Sequence, residues 1–216
     1  MQESNSRQAA IRLGTHGKDY GNWMPVSMLR LVGGLLILAA VLAVLSFTVF
    51  RLTVLGVIFL IAAAIFLALL CWITWIRRQY AFGGGGMMER VHHTVLSHLD
   101  YDGKGTLLDV GCGSGALSIR AALTWRSAQV TGIDYWGAAY GYGQAMCEKN
   151  AASEGAAARC VFKHGDANKL DFPDESFDAV VSNYVYHNVM GADKQALLLE
   201  TLRVLKKGGV FALNDE

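Results

Sequence analysis

The stretch TLLDVGCGSGALSIRAAL, residues 106–123, decides the fold. TLLDV is a short continuous apolar run of the kind that forms a buried strand, and ALSIRAAL reads as a helix over Ala116 to Leu123. Between them, glycines at 111, 113 and 115 let the backbone turn sharply and approach a ligand held at the N-terminus of the following helix. Alone, this signal is weak. The G-x-G-x-x-A pattern of a dinucleotide fingerprint fits Gly111, Gly113 and Ala116, and so does a plain strand-to-helix turn.

Working outward, strands and helices alternate. Apolar residues at helical spacing over MMERVHHTVLSHL predict a helix before the first strand. After it come a strand at QVTGID, a helix over Tyr142 to Ala152, strands at RCVFKHG and FDAVVSN, a helix over Lys194 to Leu205 and a strand at GVFALN. Such alternation predicts an α/β fold, a Rossmann-like, doubly wound, mostly parallel sheet with helices on both faces. Ligands of these sheets bind beyond the carboxyl ends of the strands, at the switch point in strand order. Asp134 closes the second strand, nineteen residues after Gly115, where a carboxylate can accept both hydroxyls of a ribose. That placement suits either nucleotide reading. Asp109, two residues before the first glycine, stands where dinucleotide enzymes usually carry an apolar residue. Asp166 follows the third strand and Asn183 ends the fourth.

With these residues in place, the blocks LDVGCGSG, GDA, LDFPDESFDAVVSN and LRVLKKGGVF, in that order, resemble the class I S-adenosylmethionine-dependent methyltransferases, in particular the group that includes quinone-biosynthesis methyltransferases. The resemblance runs from Asp109 to Asn214. It implies S-adenosyl-L-methionine as methyl donor. Asp109, Gly111, Cys112 and Gly113 would surround its methionine part, Asp134 would hold the ribose hydroxyls, and Tyr135 would flank the adenine. Asp166 would accept the adenine amino group with Ala167 beside it, and Asn183 would lie by the transferable methyl. The family's sheet continues past VFALN with two further strands, which the resemblance places beyond the 216 residues in hand.

The sulfonium of such a donor is already a strong electrophile, so alignment of the acceptor and exclusion of water are the protein's main tasks. A general base matters only when the acceptor must lose a proton. His187, four residues past Asn183, is the candidate base, with Tyr184 and Tyr186 beside it; the plainer reading has all three lining the pocket. The spacing of His92, His93 and His98 offers no metal face, and Cys71, Cys112, Cys147 and Cys160 form no C-x-x-C pair, so neither a metal site nor a disulfide framework is indicated.

The first third of the chain has a different character. No charged residue occurs from Leu31 to Phe50, nor again from Leu52 to Ile76 after the single Arg51. Each run is long enough to cross a hydrocarbon core of about 20 residues. The expected organisation is a polar segment over 1–27, two transmembrane helices within 28–78 at about 28–47 and 54–76, a Gly-rich linker over 79–86 and the cofactor-binding domain over 87–216. Basic residues flank the hairpin, at Arg7, Arg12, Lys18 and Arg30 before it and Arg77 and Arg78 after it, which predicts that both ends are cytoplasmic.

Charge divides the same way. Residues 1–86 hold 7 basic and 2 acidic side chains, whereas residues 87–216 hold 12 and 16, a net +5 and −4 that give the +1 of the whole. A basic anchor suits an anionic bilayer surface. An acidic remainder argues against a nucleic-acid partner, which would require a basic groove. The expected function is therefore a membrane-anchored methyltransferase acting on a small-molecule or lipid acceptor. Two alternatives stay open: a non-catalytic module that reports S-adenosylmethionine to the membrane hairpin, and a nicotinamide-dependent enzyme on a related sheet.

Overall fold

The computed structural model describes residues 13, 20–22, 24–82, 86–137, 143–189 and 193–215. Most of the expected N-terminal segment and the linker glycines 83–85 lie outside the described residues. The chain forms two compact units, one of residues 22–85 and the other of residues 1–21 together with 86–216.

The smaller unit is a helical hairpin of α1 (Val26–Thr48) and α2 (Thr53–Tyr80). Both helices are long and apolar enough to cross a bilayer by length and composition. Pro25 precedes α1, a position where a missing N–H costs nothing. The turn is tighter than the sequence suggests, because α1 continues to Thr48 and only four residues separate the helices. Arg51 takes a left-handed backbone there (φ 51°), and the Leu52 N–H donates back to the Ser46 carbonyl at 2.9 Å.

Small residues fill the seam. Ala39, Ala43 and Ser46 of α1 and Gly56 and Ala63 of α2 are buried, and a Cβ on Gly56 would sit 2.7 Å from the Phe47 ring. Close backbone approach is how helices associate where solvent is itself apolar. Thr48 and Thr74 donate their hydroxyls to the carbonyls four residues earlier, at 2.7 Å each, so their polar atoms are satisfied within their own helix. At the open end, Asn22 donates to the Arg77 carbonyl (2.8 Å) and Arg77 donates to the Met24 carbonyl, stapling the start of α1 to the end of α2.

The larger unit is a five-stranded parallel sheet. Its strands are β1 (Lys104–Val110), β2 (Ser127–Asp134), β3 (Cys160–His164), β4 (Phe177–Asn183) and β5 (Leu205–Asn214), in the spatial order β3-β2-β1-β4-β5. Helix α3 (Met87–Ser97) precedes β1; α4 (Ala116–Thr124), α5 (Gln144–Ser153) and α6 (Lys194–Val204) connect β1 to β2, β2 to β3 and β4 to β5. Leu107, Leu108 and Val110 of β1 are fully buried, as are Val180 and Val181 of β4, because a parallel sheet carries helices on both faces. The strand order reverses at β1, which pairs with β2 on one side and β4 on the other. The register brings Val110 level with Ile133 and Ser182, and Asp134 level with His164, so all four strand ends open onto one edge.

One feature of this unit comes from the far end of the chain. Leu13 and Tyr20 are buried in it, and the Tyr20 hydroxyl donates to Glu154 at 3.3 Å across 134 residues of sequence. Burial first, and Glu154 second, raise the Tyr20 pKa, so this phenol stays protonated. Nearby, Glu89 of α3 lies 3.9 Å from the buried Arg120 of α4. His92 is buried, and desolvation, with Arg120 adding to it, lowers its pKa to about 3.

Candidate functional site

The glycine loop is built by carbonyl capture. The N–H groups of Gly111 and Cys112 both donate to the Ile133 carbonyl, at 2.8 and 2.9 Å, which folds the chain back over the end of β2. Gly111, Gly113 and Gly115 all take left-handed backbones, with φ of 76°, 56° and 82°. At Gly111 a side chain is excluded twice over, since a Cβ would also lie 2.2 Å from a methyl of Val185 in the segment after β4. Gly115 ends the loop, and α4 begins there with no side-chain cap on its first N–H groups.

Asp109 sits one residue short of the end of β1 and is 1% exposed. Burial is the main force on its carboxyl and pushes the pKa up to about 7. The Ser118 hydroxyl of α4 donates to its Oδ2 at 2.5 Å and acts in the opposite direction. Ser118 is thus the residue that holds this acid, and sequence reasoning did not single it out. Cys112 is nearly buried; hydrogen bonding with Cys147 first and burial second keep its thiol well above the ordinary range, so it is a poor nucleophile.

Asp134 ends β2, and its carboxylate is held from two directions. Oδ2 accepts the Gly113 N–H at 2.8 Å and Oδ1 accepts the Trp136 N–H at 2.7 Å. A carboxylate oxygen has room for a second donor, so the group fits a vicinal diol while both bonds persist. The next residue, Tyr135, is 66% exposed, and its ring packs on His164 with centroids 5.1 Å apart, an open face suited to a planar base. Asp166 shapes its own loop. Its Oδ1 accepts both the backbone N–H and the side-chain amide of Asn168, at 2.8 Å each, while Ala167 packs against the core.

Across β1, the ends of β4 and β5 form a second cluster. The Asn214 amide donates to the Asn183 Oδ1 at 2.8 Å, and the Tyr184 N–H donates to the Asn214 carbonyl at 2.7 Å. Tyr184 itself takes a left-handed backbone, φ 57°. The following turn carries His187 outward, 3.0 Å through Nδ1 from Asp215 Oδ1 and beside the Tyr184 ring, whose centroid is 6.3 Å away. A carboxylate oxygen accepts, so in this pair the Nδ1–H is the donor. Tyr186 is a correction to the sequence reading. It points into the core, 4% exposed, and shares a hydrogen bond with Thr201 rather than lining a pocket beside His187.

The sequence-nominated residues therefore sit around one edge of the sheet in two groups. Asp109, Gly111, Cys112, Gly113, Asp134, Tyr135, Asp166 and Ala167 belong to the ends of β1, β2 and β3, and Asn183, Tyr184 and His187 to the end of β4. Ser118, Trp136, Val185 and Asp215 complete the arrangement and carried no sequence signal. The donor set fits a ribonucleoside with an attached zwitterion: a carboxylate for the diol, an exposed ring beside it, and glycines that let the backbone come close.

Comparison with known proteins agrees with this geometry. Residues 108–213 match the methyltransferase domain family. A fatty-acid O-methyltransferase of Mycolicibacterium smegmatis is 34% identical over 126 residues, which cover 58% of this chain and 42% of that protein. The ubiquinone/menaquinone biosynthesis C-methyltransferase UbiE of Desulfotalea psychrophila is 33% identical over 124 residues, covering 57% and 46%. The crystal structure of the [4+2]-cyclase SpnF superposes with a TM-score of 0.50 at 31% identity, covering 57% of this chain and 43% of that one. The chain spans less than half the length of each of these proteins. The third is a cyclase, so this fold alone does not dictate methyl transfer.

Proposed function

We propose that this chain, whose residues 108–213 are a class I S-adenosylmethionine-dependent methyltransferase domain, is a membrane-anchored enzyme that moves the donor's methyl group to a membrane-partitioned small molecule. The observation that carries the cofactor half is Asp134, aimed by two backbone N–H groups beside a loop whose Gly111 admits no side chain. Asp134 would hold the ribose hydroxyls, Tyr135 the adenine, and the loop from Gly111 to Gly113 the amino-acid end, with Asp109 beneath it.

The bound donor supplies an electrophilic methyl group. This chain's residues orient the acceptor, exclude water and, where the acceptor is a hydroxyl or an acidic carbon, take its proton. His187 would take that proton at Nε2, with Asp215 holding the ring and stabilising the imidazolium. Asn183 and Tyr184 would line the approach of the acceptor.

The acceptor class rests on two independent supports. The hairpin would tether the domain at a bilayer, raising its concentration near lipid-dissolved molecules. Two of the relatives named above act on a fatty acid or in quinone biosynthesis, both strongly apolar classes. The reading that both ends of the hairpin lie on one side of the membrane is supported by their joining the same unit, and the cytoplasmic side by the flanking arginines.

The test is label transfer. Full-length protein in lipid nanodiscs, given methyl-labelled S-adenosylmethionine and a total membrane extract, is expected to move label into the organic phase. Binding of S-adenosylhomocysteine with no transfer to lipid, metabolite or protein fractions would instead mark a cofactor-sensing module. Tight binding of NAD with none of S-adenosylhomocysteine would overturn the cofactor assignment.

A further inference from the structure

Trp136 lies just outside every sequence motif, yet it closes a hydrogen-bonded circuit around the cofactor loop. Its N–H donates to Asp134 Oδ1 (2.7 Å), Asp134 Oδ2 accepts from the Gly113 N–H (2.8 Å), and the Gly113 carbonyl accepts the Trp136 indole N–H (2.8 Å). The Cys147 thiol also donates to that carbonyl, at 3.2 Å, so the Gly113 peptide plane is fixed from both sides. We propose that Trp136 is a positioning residue for the cofactor, a clip that locks the glycine loop to the end of β2 and holds the Asp134 carboxylate ready for a ribose diol.

The backbone explains why the indole is needed. Trp136 takes φ 44°, a left-handed conformation that a bulky residue adopts only when its surroundings hold it there. The indole bond to Gly113 is the contact that holds it. Without that bond the residue relaxes toward an extended backbone and its N–H swings away from Asp134. Oδ1 then loses its fixed donor, and the carboxylate regains rotor freedom that binding must remove again. The nitrogen of an indole is a donor only, so it can serve the carbonyl of Gly113 but cannot compete with Asp134 for the diol. The bond spans 23 residues of sequence and ties the loop after β1 to the loop after β2.

This inference rests on the reading that the site takes S-adenosylmethionine. The experiment is calorimetry of S-adenosylhomocysteine with full-length protein in nanodiscs, comparing wild type, Trp136→Phe, Trp136→His, Asp134→Asn and the Trp136→Phe/Asp134→Asn double variant. Trp136→Phe keeps a ring and loses the donor, and is expected to raise the dissociation constant about tenfold. Trp136→His retains a ring N–H and is expected to recover part of that loss. In the Asp134→Asn background, Trp136→Phe is expected to cost little more, since both act through one carboxylate. Unchanged or tighter binding by Trp136→Phe overturns the proposal, as does an additive cycle accompanied by a lowered melting temperature of the ligand-free protein. If wild type binds no S-adenosylhomocysteine, the cofactor reading falls and this one with it.

Discussion

The hairpin and the α/β unit obey opposite solvent rules with the same side chains. Leu38 and Leu60 are more than half exposed on the outside of the hairpin, whereas Leu107 and Leu108 of β1 have no exposure at all. Polar groups are distributed the other way. The hairpin's Thr48 and Thr74 satisfy themselves within one helical turn, while the α/β unit buries Asp109, Arg120 and His92 among partners from several elements. The difference teaches where charge has a task. In the apolar runs of the hairpin a charge would meet mainly apolar side chains; in the α/β unit Asp109 is held by Ser118 of α4 and Arg120 lies beside Glu89 of α3, so each can be removed to ask what it did.

Six substitutions sharpen that contrast. The largest effect is expected from Asp134→Ala, which removes the carboxylate proposed to hold the ribose hydroxyls and should weaken S-adenosylhomocysteine binding by about a thousandfold in calorimetry. Next is Leu67→Lys in the middle of α2, expected to cost about 3 kcal/mol of insertion and to shift the protein out of the carbonate-resistant membrane fraction. The same leucine-to-lysine change at the exposed Leu199 of α6 should leave fractionation unchanged; equal loss at both sites would break the comparison.

His187→Ala comes third, with kcat expected to fall about thirtyfold while the affinity for S-adenosylhomocysteine stays at the wild-type value. Asp215→Asn should give a smaller loss in the same direction. A rate unchanged in both variants would return His187 to the pocket wall.

The smallest effect concerns pH. The Asp109 pKa is about 7 folded against an ordinary 3.8, so the folded state binds more protons in that window; its contribution is fully present below about 3.8 and is lost as pH rises to about 7. His92 runs the other way. Its pKa of about 3 against 6.5 gives a contribution present above 6.5 and lost as pH falls toward 3. Between pH 4 and 6.5 the two offset each other. Asp109→Asn should therefore make the melting temperature rise more steeply with pH across that window, by a few degrees for each 1 kcal/mol uncovered.

Much of the α/β architecture was legible because its strands are continuous apolar runs with turn residues at their ends. FDAVVSN is β4 to the residue. β5 was not, since it begins at Leu205, directly from α6 with no turn between them, and its irregular stretch at Gly208 hides the start. The placement of candidate residues was legible where they sit at or next to a strand end, as for Asp109, Asp134 and Asn183. Its supporting residues were not, because Ser118, Trp136 and Asp215 act across 9, 23 and 28 residues and their meaning depends on sheet register.

By itself the sequence determined the two long apolar helices, the alternation of strands and helices and the glycine loop, since each follows from local periodicity and backbone freedom. Only the tertiary structure decided that Leu13 and Tyr20, before the hairpin, belong to the unit that follows it, and that Asp134, Gly113 and Trp136 close one circuit. The physical reason is reach: a hydrogen bond extends about 3 Å, and which residues come within it is set by how the strands are ordered and aligned.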